Sequence, residues 1–535
     1  MKQEETGDNQ EHNTGDSSLE QNNRKDVFEE MHHALVASKK RVLFVTGRAG
    51  TGKSTLLRKL VSGSVRNCVV LAPTGAAAVE VGGQTIHSFF RFKPGVTTEQ
   101  AWELGRKSRS IIYRKLELLV IDEISMVRAD LLDCISVFLQ ASRKNDAPFG
   151  GVQVVFFGDL YQLEPVVTKD EATALGLRYA SPYFFSADVF QQILRTTREQ
   201  QIEFVELTTI YRQSDETFIA VLDKIRRNAM EREDFEYLNQ QYDEFLDFER
   251  DYAVYLTDTN HLAQRINNQN LARLEGDPVR YTGRTIGDFN ARTLPAEMEL
   301  ELKVGARVML VNNDQFKRWV NGTLATVREL DEDRIIVEVD GGGTYSIDRV
   351  VWGNYKFIYD DLNGQISKEE KGSYEQYPLR LAWAMTIHKS QGKTFDEVVV
   401  LLQGKAFAHG QLYVALSRSR TKDGIRLNRE IQPDDIRFDP RVDSFMALLK
   451  RYRSFWTYPI QQKIADVKKA EQNKRNVLLQ LINEDGTEQR VLVHHPSIVD
   501  EQAPVRELTL RCKQESGKDE DIHIPLRTIL SLEIQ

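Results

Sequence analysis

Cysteine is scarce in this chain: Cys68, Cys134 and Cys512 stand far apart among 535 residues, with no CxxC pair. That excludes a disulfide framework and a zinc knuckle, and it predicts a reducing interior with Cys68 and Cys134 as core residues. No segment reads as a secretory leader, and no apolar run is long enough to span a bilayer. An intracellular, cytoplasmic protein with no membrane partner is expected. Basic charge is not in excess either, since the formal net charge is −8. A protein coated in positive charge is excluded; a local basic channel for nucleic acid is not.

What is present is organised in blocks. Residues 1–26 are polar and acidic, with Met1 and Leu19 the only large apolar side chains, and read as a disordered tail. From Val27 to Leu194, apolar runs alternate with helical patterns: Val42–Val45, Val69–Leu71, Leu118–Ile121 and Val152–Phe157. This predicts a parallel α/β domain over 27–194. Ala253–Leu256 and Val398–Leu402 read as buried parallel strands of a second α/β domain, over 195–301 and 378–439. Between them, 302–377 is β-rich, with runs Ala306–Val311, Thr323–Glu329, Arg334–Val339 and Thr344–Ile347 and turns at Asn321-Gly322 and Gly341-Gly342-Gly343. An inserted small β-barrel fits this pattern.

Residues 440–475 read as a basic helical linker. Lys450, Arg451, Arg453, Lys463, Lys468, Lys469, Lys474 and Arg475 are interleaved with Tyr452, Phe455, Trp456 and Tyr458. Bases stack on aromatics while cations meet phosphates, so single strands are one partner for it. A connecting helix with core aromatics is the favoured alternative. Residues 476–535 turn β-rich again, at Val477–Ile482, Arg490–Val493, Leu508–Cys512 and Asp521–Pro525.

The chemistry starts at Val42–Leu57, where an apolar strand enters Gly47-Arg48-Ala49-Gly50-Thr51-Gly52-Lys53-Ser54-Thr55 and a helical segment follows. Strand, GxxxxGKS loop and helix together make a phosphate-binding loop. Its glycines let backbone N–H groups turn inward on phosphate oxygens, and the helix adds its positive end. Gly47, Ala49, Gly50, Thr51, Gly52, Lys53, Ser54 and Thr55 are the expected nucleotide contacts, with Lys53 reaching the β- and γ-phosphates and Ser54 holding Mg²⁺. The apolar strand Leu118–Ile121 ends in Asp122-Glu123. Asp122 is expected in the Mg²⁺ shell and Glu123 as the base polarising the attacking water. Gln162, after the strand Val152–Phe157, is placed to sense the γ-phosphate. Arg212 and Arg418 are the candidate transition-state cations; taken alone, each reads more readily as a member of a surface ion pair.

The order of blocks is GRAGTGKST, LAPTGAAAVEVGGQTIHSFF, VIDEISMV, FFGDLYQL, YRQ, AMTIHKSQGKTFDEV and LYVALSRSR. It resembles the superfamily 1B DNA helicases, and within them the petite-integration-frequency family, related to RecD. The segment Ala129–Gly151, ending Pro148-Phe149-Gly150-Gly151, is similar to that family's signature. The resemblance covers residues 27–430. It implies two RecA-like domains with ATP between them, single-stranded DNA across their tops and 5′-to-3′ translocation. It implies DNA contacts at Pro73, Thr74, Ala76 and His87 in the first domain and at Thr386, His388, Lys389 and Ser390 in the second, with Gln391 and Gly392 linking that grip to the nucleotide cleft. Backbone and hydroxyl contacts of this kind hold a strand without reading its sequence.

The insert, through LKVGARVMLVNND and VNGTLATV, is similar to the family's barrel of the Src-homology-3 type. Arg91–Lys115 occupies the place of a strand-separating wedge. Three features depart from the family pattern. The adenine-reading glutamine would fall near Glu29–Glu30, and the nearest upstream glutamine is Gln21. The usual QLPPV is Gln162-Leu163-Glu164-Pro165-Val166. The C-terminal region lies beyond the family core; Leu526–Ile529 resembles the close of a WYL domain, but the naming pair would be Arg506-Glu507.

The expectation is an ATP-dependent, Mg²⁺-requiring DNA helicase acting on forked duplex, as a monomeric motor, in replication, repair or recombination. Two alternatives use the same motifs. One is a translocase that strips proteins from single-stranded DNA with little unwinding. The other is a nucleotide-gated DNA-binding module.

Overall fold

The computed structural model describes residues 38, 40–64, 66–195, 202–208, 210–213, 215–244, 253–289, 294–361, 363–403, 408–457, 460–482, 488–499, 509–514 and 522–534. The acidic tail, the Glu29–Glu30 and Gln21 positions, and Arg506-Glu507 lie outside these residues.

The first domain is built on a six-stranded sheet in the order β3-β2-β4-β5-β1-β6. Its strands are β1 (Val42–Gly47), β2 (Cys68–Ala72), β3 (Gln84–Thr85), β4 (Leu118–Ile121), β5 (Gln153–Phe157) and β6 (Ile202–Leu207). All pairings are parallel. Helices cover both faces, so β1 and β4 are buried along their whole length and read as unbroken apolar runs. β6 lies beside β1, with Val42 opposite Ile202. The first domain therefore extends past the expected boundary at 194. The β6 sequence, IEFVEL, buries Ile202, Phe204 and Leu207 and exposes its other residues more, as an edge strand does, so it lacks the continuous apolar signature.

The second sheet has the order β18-β7-β19-β20, all parallel, from β7 (Val254–Thr257), β18 (Ala384–Thr386), β19 (Val398–Val400) and β20 (Ile425–Leu427). The region between β7 and β18 is larger than expected. β11 (Arg307–Leu310), β12 (Leu324–Leu330), β13 (Ile335–Val339) and β14 (Thr344–Ile347) form an antiparallel sheet that also takes in β17 (Leu379–Leu381). β8 (Val279–Thr282) pairs with β10 (Glu299–Leu302), and Tyr281, Leu300 and Leu302 join the same core as Val308 and Val327. The insert thus reaches outside 302–377 at both ends. These pairings are long-range, and no local pattern announces them.

A long hairpin, β15 (Val350–Asp360) and β16 (Gln365–Gln376), flanked by β9 (Arg284–Gly287) along β16, was not legible in the sequence. Much of β16 is exposed, and QISKEEKGSYEQ carries no apolar alternation over that part. The hairpin leans on the first domain. Phe357 is buried against Phe89 with ring centroids 6.1 Å apart, and Ile366 N donates to Asn67 Oδ1 at 2.7 Å.

Helices Pro440–Thr457 and Ile460–Gln472 confirm the helical character of 440–475 but not its role as a mere linker. Val442, Phe445, Met446 and Leu449 complete the first domain's core, where Phe445 stacks on Phe185 with centroids 4.3 Å apart. Lys463 is no phosphate-facing cation: it is buried, and its Nζ donates to Leu526 O at 3.1 Å. The side chains of Arg451, Tyr452, Arg453, Phe455, Trp456 and Tyr458 fall outside the described residues. The last five strands, β21 (Val477–Ile482), β22 (Glu488–Val499), β23 (Thr509–Gln514), β24 (Ile522–Pro525) and β25 (Ile529–Ile534), form one antiparallel sheet in the order β24-β23-β22-β21-β25. Among the described residues no helix is long and apolar enough to cross a membrane.

Candidate nucleotide and nucleic-acid site

The phosphate loop leaves the C-terminal end of β1, where open parallel sheets place their ligands. Gly50 and Gly52 take φ of 79° and 86°, which a side chain resists. A Cβ on Gly50 would also meet Arg212 Cβ at 2.4 Å, so that position is fixed by packing as well as by backbone. Lys53 Nζ donates to Gly47 O at 2.7 Å and Arg48 O at 3.0 Å, folding the ammonium into the loop. Thr51 is buried and its hydroxyl donates to Arg48 O at 2.9 Å; Ser54 is partly accessible and Thr55 exposed.

Asp122 and Glu123 follow β4 beside this loop. Burial pushes the Asp122 carboxyl up to about 6. Burial, with the Asp122 charge next in weight, pushes Glu123 up to about 8. Glu123 sits at φ 49°, ψ 46°, a left-handed conformation that is strained for a side chain of its size. Gln391 Nε2 donates to Glu123 Oε2 at 3.1 Å and to Gln162 Oε1 at 2.9 Å. The Gln162 amide in turn donates to Asp159 Oδ2 at 3.3 Å. The candidate base and the candidate sensor are thus joined by one side chain from the opposite domain.

Both candidate arginines lie in the cleft rather than on the surface. Arg212 Nη2 donates to Gly392 O at 2.8 Å, Tyr211 N donates to Gly50 O at 2.9 Å, and burial lowers the Arg212 guanidinium. Among the described residues its Nη1 is buried with no hydrogen-bond partner. Arg418 is 1% exposed and bonds to Val414 O, Ser390 O, Lys393 O and Ser417 Oγ. Burial, then the charge of Arg212, brings it down to about 9. Tyr413, five residues before Arg418, accepts from Ala49 N of the phosphate loop at 3.3 Å.

The expected DNA contacts divide. Thr74 caps helix Gly75–Glu80, its hydroxyl accepting from Ala77 N at 3.3 Å, and stays partly accessible with Pro73. The Ala76 side chain lies outside the described residues. His87 is half-buried on helix Ile86–Phe90, and burial, then Arg128, lowers its pKa. In the second domain His388 is half-buried and Lys389 exposed. Thr386 and Ser390 do not face outward. Thr386 is 4% exposed and caps the turn by accepting from Lys389 N, while Ser390 is 0% exposed and donates to Ile387 O at 2.7 Å. A tight turn needs both hydroxyls for its own backbone, which the motif alone does not reveal.

Glu164 receives an explanation. Its Oε1 accepts from His409 N at 3.2 Å, tying the loop after Gln162 to the second domain; His409 Nε2 meets Leu160 O at 3.1 Å and Nδ1 accepts from Asp439 N. Asp159, Asp223 and Arg226 also belong to the cleft and were not singled out from the sequence. No spacing rule marks them; each is polar in an otherwise ordinary loop or helix.

Residues 19–236 match the PIF1-like helicase family, and residues 381–423 match the UvrD-like helicase C-terminal domain. The chain is 35% identical over 422 residues to the ATP-dependent DNA helicase PIF1 of Homo sapiens, covering 77% of this chain and 62% of that protein. It thus spans less than two thirds of that relative's length. Pif1 from Bacteroides sp, solved in complex with ADP-AlF4, is 37% identical and superposes with a TM-score of 0.70, over 80% of this chain and 96% of that one. Bacteroides Pif1 bound to single-stranded DNA gives a TM-score of 0.54 at 37% identity, over 79% of this chain and 96% of that one. With phosphate loop, acidic pair, Gln162 and two arginines gathered in one cleft, and with relatives at this identity, the chain belongs to the PIF1-like helicase family.

Proposed function

We propose that this chain is an ATP-dependent DNA helicase that moves 5′ to 3′ along single-stranded DNA and opens duplex at a fork. The observation that carries the reading is the seating of Arg212, on the connection between the two domains, against Gly50 of the phosphate loop while its guanidinium donates to Gly392 O of the second domain. A nucleotide whose hydrolysis depends on Arg212 and Arg418 is hydrolysed only when the domains meet, so each turnover is a closing and opening of the cleft.

The residues fit a magnesium nucleotide. Gly50 and Gly52 take positive φ, Lys53 Nζ folds back on the loop carbonyls, and among the described residues Arg212 Nη1 is a buried donor without a partner. Ser54 and Asp122 would hold Mg²⁺, which would supply positive charge against the nucleotide's phosphates. Glu123 would take the proton of the attacking water, and Gln162 would hold the γ-phosphate end of the substrate. Arg212 and Arg418 would stabilise charge developing on the transferred group.

On this reading Pro73, Thr74, His87, His388 and Lys389 grip the strand. Helix Thr98–Lys107, which carries exposed Trp102 and Leu104, parts the duplex, and the antiparallel insert is the family's small barrel. One chain carries both walls of the cleft, which supports a monomeric motor. The test is ATP hydrolysis with and without single-stranded DNA, beside unwinding of duplexes with a 5′ or a 3′ tail. We expect stimulation by DNA, unwinding from the 5′ tail, and loss of both in Lys53→Ala with DNA binding retained. Protein displacement without strand displacement would select a translocase. Hydrolysis unmoved by DNA would select a gated binding module.

A further inference from the structure

We propose that Arg226, the last residue of the second-domain helix Glu216–Arg226, is a positioning residue for the hydrolysis site, acting on Lys53 and Gln162 through Asp159. The inference rests on the function proposed above. Arg226 is 3% exposed, and its Nη2 donates to Asp159 Oδ1 at 3.0 Å. Asp159 belongs to the first domain, in the loop after β5, and is 0% exposed. The pair is therefore an ion pair made across the cleft, away from solvent. The guanidinium lies over the Tyr161 ring, 4.1 Å from its centroid, and Tyr161 is itself hydrogen-bonded to Asp443 of helix Pro440–Thr457. Asp223, one turn earlier on the same helix, pairs with Arg48 of the phosphate loop at 3.1 Å.

A carboxylate buried as deeply as Asp159 is costly to keep ionised without a cation beside it. Burial pushes its carboxyl up, but Arg226 first and Lys53 second pull it below the ordinary range. Asp159 thus stands between two cations, one from each domain. Without Arg226 its whole charge falls on Lys53, the group meant for phosphate. Asp159 also holds the Gln162 amide, which is joined through Gln391 to Glu123. When the domains part, Arg226 leaves with its helix; when they meet, it restores the balance at Lys53 and the orientation of Gln162. Cleft closure then does more than bring up Arg212 and Arg418. It also sets the first domain's own groups.

The test uses the full chain and compares Arg226→Gln, which keeps hydrogen-bonding capacity but not charge, with Arg226→Lys, which keeps charge. For Arg226→Gln we expect DNA-stimulated kcat to fall at least about tenfold, with KM for ATP and affinity for single-stranded DNA little changed and Tm lowered by the unpaired Asp159 charge; Arg226→Lys should retain most of kcat. The charge-free double variant Asp159→Asn/Arg226→Gln should lose no more kcat than Asp159→Asn alone, as expected of residues acting as a unit. Wild-type kcat in Arg226→Gln overturns the proposal. So do equal losses in both single variants accompanied by falling DNA affinity, and so do multiplicative losses in the double variant. If the unaltered chain shows no DNA-stimulated hydrolysis, the proposed function fails instead, and these variants are not the cause.

Discussion

Gln391 donates from the second domain to Glu123 Oε2 at 3.1 Å, one residue after Ser390 in the turn that carries Lys389. The group expected to polarise water and the group expected to meet DNA phosphates are therefore connected by a short run of backbone and one amide. Anything that moves the turn moves the donor on Glu123.

This gives the first expectation. Gln391→Ala removes the donor shared by Glu123 and Gln162 without touching Lys53 or either arginine. The ratio of DNA-stimulated to basal hydrolysis should fall by about fivefold or more, a loss on the scale of one or two hydrogen bonds to charged or buried groups. Steady-state hydrolysis at saturating and zero single-stranded DNA measures it.

A second concerns pH. Burial raises the folded-state Glu123 carboxyl to about 8 from an ordinary 4.5, so between those values the folded protein binds more protons than the unfolded chain. Ionising Glu123 then works against the fold, and its contribution to stability falls as pH rises through that window. Glu123→Gln should melt above the wild-type protein at pH 9, by a few degrees, and with it at pH 4. Thermal unfolding of both proteins across this range, without nucleotide, tests the sign.

A third separates outward from inward residues of one motif. Lys389 is exposed and Ser390 is 0% exposed with its hydroxyl turned to Ile387 O. Lys389→Ala should weaken single-stranded DNA binding and lower the slope of log K against log salt by about 0.7, the share of one phosphate contact. Ser390→Ala should leave that slope unchanged. Fluorescence anisotropy titrations at several salt concentrations distinguish them.

A fourth concerns helix Pro440–Thr457. Phe445 lies among Phe44, Phe184, Phe185 and Phe190. Phe445→Ala should destabilise the protein by about 3–5 kcal/mol, as truncation of a large core aromatic does. Denaturant unfolding followed by a first-domain probe reads the loss. A helix that only linked two domains would show little.

The nucleotide machinery was legible because it is written in consecutive residues. A Gly-rich loop must follow a strand and open a helix, so Gly47–Ser54 declares its geometry locally, and Asp122-Glu123 marks the end of a buried strand in the same way. The four expected strand runs of the first sheet and the two of the second were visible because parallel strands covered on both faces are continuously apolar. β6 and much of β16 escaped because their exposure gives them no such run. Glu164 read as an anomaly until His409, distant in sequence, supplied its partner.

By itself the sequence determined where a phosphate-binding loop stands, which residues are expected to line it, and to which family the order of its motifs points. Only the tertiary structure decided which of the motif side chains face the cleft, which are consumed in capping their own turns, and that Arg226 and Gln391 stand beside the phosphate loop. The reason is physical. Backbone conformation and strand burial are set by neighbours in the chain, whereas burial of a charge is settled by whatever the fold brings against it from elsewhere, and at this cleft that partner comes from the other domain.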